Sequence, residues 1–372
     1  RAGSRTALVY AANITGSALG CLATGYVLLD ALPLADVALL MAGILLLLAV
    51  VVSLGAHGGM SGRWIALPPA LLLLLASIHG PLHVRMYEKL QYMPRSKRVP
   101  PFEMVIENRN GVIAVTPEKR VYSDGSYDGV ISTALAPRLN PEIENAYLAF
   151  LVHPRPRAIL EIGLATGSWA QVLVHGPGVE TLTAVEINPG YLRLISRYGT
   201  VRSLLTNSRF TSVIDDGRRW LRRNPGRSFD LIVMNTTFHW RSHATDLLSG
   251  EFMKLCKRHL NPGGVLYINT TQSGSAIRTV AMNFKHAAMH TVYVIASDAP
   301  FRINRARFRK ILEKFAIDGK PVLDLRQAGH RRILEQLVSL RLQDLTGKSL
   351  EKYQGSRLVT DDNMVTEFSP GR

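Results

Sequence analysis

The sequence predicts an α/β protein with a doubly wound, mostly parallel sheet, preceded by a small antiparallel β segment and by N-terminal transmembrane helices. Three observations predict this fold class. Residues 157–168 read as a buried strand, a glycine turn and the start of a helix. Further short apolar runs follow and alternate with helical patterns, as expected of a parallel sheet. The first 80 residues hold three long apolar runs with few charges.

The composition leaves room for several domains and gives no sign of a disulfide scaffold. The chain has 372 residues, 47% of them hydrophobic, and a formal charge of +16. Its two cysteines, Cys21 and Cys256, have neither a disulfide framework nor a metal-ligand spacing, so we expect no metal. We predict five segments: transmembrane helices at 1–84, a basic juxtamembrane linker at 85–101, a small β domain at 102–140, a nucleotide-binding catalytic domain at 141–300 and a basic helical extension at 301–372.

Two of the apolar runs, residues 6–29 and 37–56, are long enough to span a bilayer. A third run, residues 64–78, is shorter and contains Pro68-Pro69, so it either crosses or lies at the interface. The sequence therefore predicts two or three spans. In the first run, Gly16 and Gly20 permit close contact between helices.

Basic residues follow the third run and predict the side of the membrane on which it ends. The positive-inside rule places that end in the cytoplasm. Their charge suits anionic lipid headgroups better than nucleic acid, for which the chain carries no motif. These residues are Arg85, Lys89, Arg95, Lys97 and Arg98.

The segment before the glycine turn alternates in the manner of strands. Residues 102–115, 120–122 and 129–133 fit this pattern, with turns at residues 110–111 and 123–125. They predict the small antiparallel domain. A helix is predicted from residue 141 to residue 152, leading into the first strand of the large sheet.

The glycine turn itself predicts a nucleotide site. Glycine permits a positive φ and a close approach of the backbone to a ligand, although such glycines also occur in ordinary turns. The second strand, residues 181–187, carries Glu186, which lies 19 residues after Gly167 and is placed to bind ribose hydroxyls. Polar residues also follow the third strand, 210–214, and the fourth, 229–234. The predicted nucleotide-binding residues are Glu161, Gly163, Ala165, Thr166, Gly167, Glu186, Asp216 and Gly217.

Five motifs along this region carry a family resemblance. Together they resemble the class I AdoMet-dependent transferases. A finer pattern, Asp216-Gly217 before Trp220-Leu221 and the segment 247–252, resembles spermidine synthases, the polyamine aminopropyltransferases. The resemblance covers roughly residues 103–300. The five motifs are ExGxxxG at 161–167, VEIN at 185–188, DDG at 215–217, FDLIVMN at 229–235 and LNPGG at 260–264.

Residues 87–90, 239–241 and 360–364, with the apolar N-terminal part, resemble the membrane-embedded spermidine synthase-like proteins of bacteria. This resemblance implies an integral protein of the bacterial inner membrane with its catalytic domain in the cytoplasm. It also implies decarboxylated AdoMet or AdoMet as co-substrate, an amine or lipid acceptor, and a homodimer. Asp216 would bind the adenine amino group, with a cap at the strand end as the alternative role.

The sequence departs from the family at positions where carboxylates are needed. Spermidine synthases have GGGDGG in the first turn and this chain has GLATGS, so Thr166 replaces the acid that holds the aminopropyl ammonium. They have DxxD after the fourth strand and this chain has NTTF, so Asn235 and Phe238 replace both acids. An amide orients an amine but cannot accept its proton. Because Tyr127 and Asp128 lie near the family's substrate-binding tyrosine, the predicted catalytic residues are Asn235, Tyr127 and Asp128.

The residues after the fourth strand are predicted to form the acceptor pocket. Arg241 suits an anionic acceptor such as a lipid phosphate, or else lies on the rim of a loop. His239 and His243 are four residues apart, but no third ligand is evident, so we predict no metal site. The predicted acceptor-binding residues are Thr236, Phe238, His239, Trp240 and Arg241.

The C-terminal stretch is basic, and helices are predicted over residues 305–315 and 327–345. Its last carboxylates, at 361–362 and 367, belong either to a surface tail or to the site. Three functions stay open: aminopropyl transfer by a membrane-anchored enzyme, AdoMet-dependent methyl transfer to a membrane-associated or lipid acceptor, and nucleotide sensing without catalysis. Aminopropyl transfer ranks first on the extent of the resemblance, whereas Thr166 favours methyl transfer.

Overall fold

A computed structural model describes residues 2–55, 67–93, 99–136, 142–235, 238–363 and 365–368. The chain forms two compact units. The first comprises Arg1–Glu118 and Tyr122–Tyr127, and the second comprises Lys119–Val121 and Asp128–Arg372. The second unit includes residues 301–372, the segment predicted as a basic C-terminal extension, and the predicted division into five segments stays a prediction.

The first unit begins with long apolar helices. Gly3–Ala31 continues through a π-helical turn at Thr24–Leu28, and Leu34–Gly55 follows it; both are long and apolar enough to cross a membrane. Leu67–His83 and Met86–Tyr92 are bent by 50° relative to each other and add a third crossing only if they form one span. Residues 64–66, the start of the third predicted run, lie outside the described residues.

The surfaces of these helices are apolar and exposed. Leu8 and Val52, for example, are 72% and 71% exposed. Within the part of the chain that the structure describes, no atom lies within 4 Å of a Cβ added at Gly16 or Gly20, and the close helix contact at these glycines stays a prediction. Soluble proteins rarely expose apolar surface of this extent, and hydrocarbon is a suitable environment for it.

The first four strands form a small sheet in the order β1-β2-β3-β4, and β1 and β2 pair as an antiparallel hairpin. Gly111 has a φ of 131°, and its N-terminal neighbour Asn110 lies in the turn as predicted. The carboxylate of Asp124, in the second predicted turn, accepts a hydrogen bond from the Val112 N–H at 2.9 Å. The fourth strand ends at residue 130, so the predicted extension to residue 133 was wrong. The strands are β1 (Met104–Asn108), β2 (Gly111–Val115), β3 (Arg120–Ser123) and β4 (Ser126–Val130).

The second unit is built on an eight-stranded sheet with the order β14-β10-β11-β9-β8-β5-β6-β7. The strands are β5 (Ala158–Ile162), β6 (Thr181–Glu186), β7 (Phe210–Ile214), β8 (Phe229–Met234), β9 (Leu260–Asn269), β10 (His286–His290), β11 (Tyr293–Ser297) and β14 (Gln343–Asp344), with a separate pair, β12 (Ala316–Ile317) and β13 (Lys320–Pro321). The helices of this unit are Ile143–Val152, Ser168–Val174, Gly190–Arg197, Gly217–Arg223, Thr245–Leu248, Gly250–Arg258, Gly274–Asn283, Arg305–Lys314, Ala328–Ser339 and Lys348–Glu351.

The sheet is parallel from β7 to β9 and antiparallel at the other edge. Strands β5, β6, β7, β8 and β9 pair in parallel, whereas β11, β10 and β14 add antiparallel pairs. The predicted fold class is confirmed. From β5 the chain first adds β6 and β7 on one side and then β8 and β9 on the other, so the strand order reverses between β5 and β8. Ligands of such sheets bind at the carboxyl ends of the strands at this reversal.

The central strands are covered on both faces. Leu160, Ile232 and Leu266 are fully buried, as the near-continuous apolar runs of parallel strands require. Helix Gly250–Arg258 contributes Phe252 and Cys256 to the same core. The rigid centre fixes the positions of the residues that follow each strand.

The C-terminal residues complete this core. Phe315 packs against Tyr147 and Phe150, with ring centroids 5.0 and 5.8 Å apart. The helix predicted over residues 327–345 ends at Ser339, and Gln343–Asp344 instead pair with β10. Without this pairing, β10 would be the edge strand and would present unpaired backbone N–H and C=O groups. Residues Gln343–Asp344 provide hydrogen-bond partners for part of β10.

Candidate active site

The predicted nucleotide turn lies where the strand order reverses. Glu161 is in the last part of β5, and Asn235 directly follows β8. Both line one cleft at the carboxyl edge of the sheet. The lining residues of this cleft are Asp128, Gly129, Val130, Glu142, Glu161, Gly163, Leu164, Ala165, Thr166, Trp169 and Asn235.

The turn between β5 and the next helix has the left-handed geometry that the glycines predict. Gly163, Ala165 and Gly167 have φ values of 86°, 45° and 72°. A Cβ on Gly167 would lie 2.7 Å from the Ile195 Cδ1 atom, so both its φ and its packing require glycine. The positive φ of Ala165 is uncommon for a residue with a Cβ, and strained backbone of this kind concentrates at binding sites.

Glu186 holds this turn in place. Its Oε2 atom accepts hydrogen bonds from the Leu164 and Ala165 N–H groups at 2.8 and 3.2 Å, and its Oε1 accepts from Asn188 at 2.8 Å. The side chain is 5% exposed. The backbone N–H of Ile187 also hydrogen-bonds to this carboxylate, so most of its roughly four acceptor positions are committed to the protein. The ribose role of Glu186 stays a prediction, and the turn-holding role is an addition to it.

Asp216 has the capping role that was the alternative to adenine binding. Its Oδ1 atom accepts a hydrogen bond from the Arg219 N–H at 2.7 Å and so caps helix Gly217–Arg223. A Cβ on Gly217 would lie 2.5 Å from Ile162 Cγ2, so this glycine permits the helix to approach β5 closely. The contact of Asp216 with adenine stays a prediction.

Three carboxylates meet in the cleft: Asp128, Glu142 and Glu161. Glu161 is 1% exposed, and its Oε2 atom has no hydrogen-bond partner among the described residues. Burial, together with the negative charge of Glu186, raises the pKa of Glu161 well above its ordinary value. Burial also raises the pKa of Glu142. A buried carboxyl group without a partner is rare, and a bound cation would provide that partner.

The surroundings of Asp128 shift the pKa of its carboxyl group. It lies at the cleft wall, where Tyr191 donates a short hydrogen bond to its carboxylate. The pKa of Asp128 is raised to about 7: burial is the largest cause, the charges of Glu186 and Glu142 also raise it, and Tyr191 and Arg241 lower it. A pKa near the working pH is the property that suits proton transfer. Asp128 and Glu161 are thus acidic residues of the cleft, whereas Thr166 and Asn235 line it without a carboxyl group.

Asn235 presents its amide nitrogen to the cleft. Its Oδ1 atom accepts hydrogen bonds from Asn269 Nδ2 at 3.0 Å and from the Tyr293 hydroxyl at 2.9 Å. Thr166 is also committed, because its hydroxyl donates to Ser168 Oγ at 2.9 Å. The amide N–H groups of Asn235 can donate hydrogen bonds, but an amide cannot remove a proton at neutral pH.

The loop after β8 carries the predicted acceptor residues. Phe238 and Trp240 stack with centroids 5.3 Å apart and an interplanar angle of 17°. The His239 ring is buried, its Nδ1 lies 2.6 Å from Thr271 Oγ1, and burial lowers its pKa. Arg241 is close enough to Asp128 for its charge to lower the pKa of that carboxyl. Thr236 lies outside the described residues.

Tyr127 belongs to the first unit, where its ring packs edge-on against Tyr122 with centroids 6.3 Å apart. Its catalytic role stays a prediction. Sequence reasoning missed Glu142, Trp169 and Tyr191. Trp169 was read only as part of an apolar helix face, and Glu142 precedes a helix with no local signal that distinguishes it from a surface residue.

The region that contains this cleft is similar to known proteins. Residues 137–315 match a family described as a methyltransferase domain. This region has the fold of a class I AdoMet-type domain. It is 30% identical over 140 residues to the polyamine aminopropyltransferase of Enterobacter sp. (strain 638), covering 37% of this chain and 48% of that protein. It is 32% identical over 146 residues to the polyamine aminopropyltransferase of Mycobacterium tuberculosis H37Rv, covering 37% and 27%.

The class I AdoMet-type domain also has solved structural neighbours. One is a spermidine synthase in complex with the transition state analogue AdoDATO, with a TM-score of 0.47 and 18% identity, covering 68% of this chain and 87% of that chain. The chain spans about half or less of the length of the curated relatives it matches. The predicted resemblance to polyamine aminopropyltransferases is confirmed for this region.

Proposed function

We propose that this chain is a membrane-attached transferase that binds an AdoMet-type nucleotide and transfers an aminopropyl group to an amine acceptor. The observation that carries the proposal is the meeting of Asp128, Glu142 and Glu161 in one cleft beside the glycine turn. The aminopropyl group of the donor and a polyamine acceptor are both cationic, and carboxylates in a part-buried cleft stabilise such charges. The relatives named polyamine aminopropyltransferase support the same chemistry.

The reaction assigns a separate task to each acid. The nitrogen of a neutral amine attacks the carbon next to the sulfonium, the C–S bond breaks, and its electron pair returns to sulfur to give methylthioadenosine. Glu161 holds the aminopropyl ammonium, because its buried Oε2 needs a partner. Asp128 takes the proton that the attacking amine loses. Asn235 orients the acceptor through its amide N–H groups, because its oxygen is already occupied.

The nucleotide is proposed to lie over the turn from Gly163 to Gly167, with Glu186 as its ribose acceptor. Three positions of this turn have a positive φ, and two of them are glycines without a side chain. The backbone of the turn can therefore approach the ligand closely. Water leaves the cleft when the nucleotide binds, which strengthens the interaction of the carboxylates with the cationic centres.

Membrane attachment is proposed from the two helices Gly3–Ala31 and Leu34–Gly55. Their apolar, exposed surfaces suit the hydrocarbon core. The nucleotide is made in the cytoplasm, so the class I AdoMet-type domain is placed there, at the inner membrane of a bacterium. The proposed acceptor is accordingly a soluble amine or an amine at the membrane surface. The homodimer inferred from the resemblance stays a prediction.

Methyl transfer from intact AdoMet is the second candidate. It is favoured by the absence of an acid at Thr166, whose hydroxyl is committed to Ser168, and by the amide donor of Asn235, which could bind a carboxylate. The family match to a methyltransferase domain is consistent with it. The three carboxylates of the cleft oppose it, since they repel the carboxylate that intact AdoMet carries.

Donor preference distinguishes the two candidates. We expect the detergent-solubilised chain to bind decarboxylated AdoMet at least about tenfold more tightly than AdoMet, a difference of about 1.4 kcal/mol. Glu161→Gln is expected to reduce that preference, because it removes the carboxylate that faces the aminopropyl ammonium. Glu180→Gln, an exposed carboxylate paired with Arg157, is the matched control. Isothermal titration calorimetry measures all three proteins, and tighter binding of AdoMet by the unaltered chain would contradict aminopropyl transfer.

A further inference from the structure

The C-terminal segment 358–368, apart from residue 364, is called the C-terminal strap. It is anchored in the core of the second unit at its start. Val359 is fully buried, its N–H donates to Thr279 Oγ1 at 2.8 Å, and its carbonyl accepts from the Gly250 N–H at 2.9 Å. Asp361 then forms an ion pair with Arg218, two of whose nitrogens donate to its carboxylate. These contacts fix the first part of the strap independently of the active site.

The end of the strap contacts the loop after β8. Glu367 Oε1 accepts a hydrogen bond from the Thr245 N–H at 2.9 Å. The Phe368 N–H donates to the Trp240 carbonyl at 2.7 Å. Glu367 is 6% exposed, so its carboxylate is committed to the protein interior. The two bonds hold both ends of the loop segment 240–245.

Arg241 lies within that segment. Its charge acts on Asp128, the residue to which the proposed reaction assigns the proton. The groups that shift the pKa of Asp128 come from several elements, and Arg241 on the loop is one of them. They are Tyr191 on helix Gly190–Arg197, Glu186 at the end of β6, Glu142 before helix Ile143–Val152, and Arg241 on the loop.

We propose that the C-terminal strap is a positioning element of the acceptor site: Glu367 and the Phe368 backbone hold the loop 240–245 so that Arg241 stays beside Asp128. Glu367 is thus a positioning residue that acts through the loop and touches no reacting atom. The inference rests on the proposed function for the role of Asp128. The bonds to Thr245 and Trp240 and the anchoring of the strap stand without it.

Three variants separate positioning from general stability. Glu367→Ala removes the acceptor of the Thr245 N–H, whereas Glu367→Gln keeps an oxygen at the same place and is expected to behave as the unaltered chain. Asp362→Ala removes an exposed carboxylate from the same strap and serves as the control. A chain that ends at Val365 removes both contacts to the loop and keeps the anchor at Val359 and Asp361.

Two readouts are measured on the full chain in detergent. In Glu367→Ala, amide exchange across residues 238–248 is expected to accelerate about tenfold or more, since an amide held only by that carboxylate opens more often. The KM for a diamine acceptor such as putrescine is expected to rise about tenfold with a smaller change in kcat, while nucleotide affinity stays within about twofold. The acidic limb of the pH profile is expected to move to higher pH, because the lowering effect of Arg241 on Asp128 is lost.

Unchanged exchange across residues 238–248 in Glu367→Ala would overturn the proposal. The proposal would also be overturned if nucleotide affinity fell by the same factor as the acceptor KM rose, with a lowered unfolding temperature and no recovery in Glu367→Gln. A purely structural role predicts that result. If the unaltered chain turned over no donor, the proposed function would fail, and the exchange comparison alone would decide the role of the strap.

Discussion

Asp128→Asn is expected to lower kcat for aminopropyl transfer by about 10²–10⁴-fold, the usual contribution of a general base. Asparagine keeps the size of the side chain and still accepts the Tyr191 hydrogen bond, but it cannot take a proton. Nucleotide binding is expected to change little, because the glycine turn and Glu186 are untouched. The control is Asp124→Asn, a nearby turn carboxylate whose bond from Val112 an amide oxygen preserves.

The pH dependence has a defined sign. The pKa of Asp128 is raised to about 7, and a base acts only when deprotonated, so kcat/KM is expected to fall as pH drops through about 7. The Asp128→Asn variant is expected to lose this limb. Because the pKa of Asp128 is higher in the folded protein, the unfolded chain loses this proton at a lower pH than the folded chain does. The free energy of unfolding therefore decreases as pH rises from the ordinary pKa of an aspartate towards 7. A variant that kept both the rate and the acidic limb would show that another group removes the proton.

Asp361→Ala is expected to cause the largest loss of stability, about 3 kcal/mol. The reason is an asymmetry in the ion pair: the Arg218 side chain is 8% exposed and that of Asp361 is 35% exposed. Removing Asp361 leaves a buried guanidinium with weaker partners, such as the Asp246 carbonyl at 3.1 Å. Removing Arg218 leaves a carboxylate that water reaches, so Arg218→Met is expected to cost less.

Thermal unfolding of the detergent-solubilised variants measures this asymmetry. Asp362→Ala, the exposed neighbour, is the control and is expected to stay within about 0.5 kcal/mol of the unaltered chain. A double variant, Asp361→Ala with Arg218→Met, is expected to recover part of the loss because no buried charge remains. An Asp361→Ala protein as stable as the Asp362→Ala control would refute the account of this pair.

Local sequence patterns predicted the elements of the large sheet well. The strands Phe210–Ile214 and Phe229–Met234 have the predicted bounds, and the turn after Ala158–Ile162 has the expected positive φ values. These features depend on short-range apolar periodicity and on glycine conformation, both of which can be read from adjacent residues. The strand Leu260–Asn269 begins within the LNPGG motif, 260–264.

Long-range pairings could not be predicted in this way. Arg218 and Asp361 are 143 residues apart, and nothing in either neighbourhood indicates the other. For this reason the C-terminal carboxylates were assigned to a surface tail or to the site; in the structure Asp361 pairs with Arg218, and Glu367 accepts from the Thr245 N–H. The acids of the cleft posed the same difficulty, because Asp128, Glu142 and Glu161 come from three different segments. Only Asp128 and Glu161 were predicted.

The product formed from each donor tests the central claim most directly. The purified full chain would be incubated with decarboxylated AdoMet or AdoMet and a panel of diamines and polyamines, and the nucleoside product identified by mass spectrometry. The account predicts methylthioadenosine from decarboxylated AdoMet, with loss of that product in Asp128→Asn. Formation of S-adenosylhomocysteine from AdoMet, without methylthioadenosine from the decarboxylated donor, would contradict it and establish methyl transfer instead.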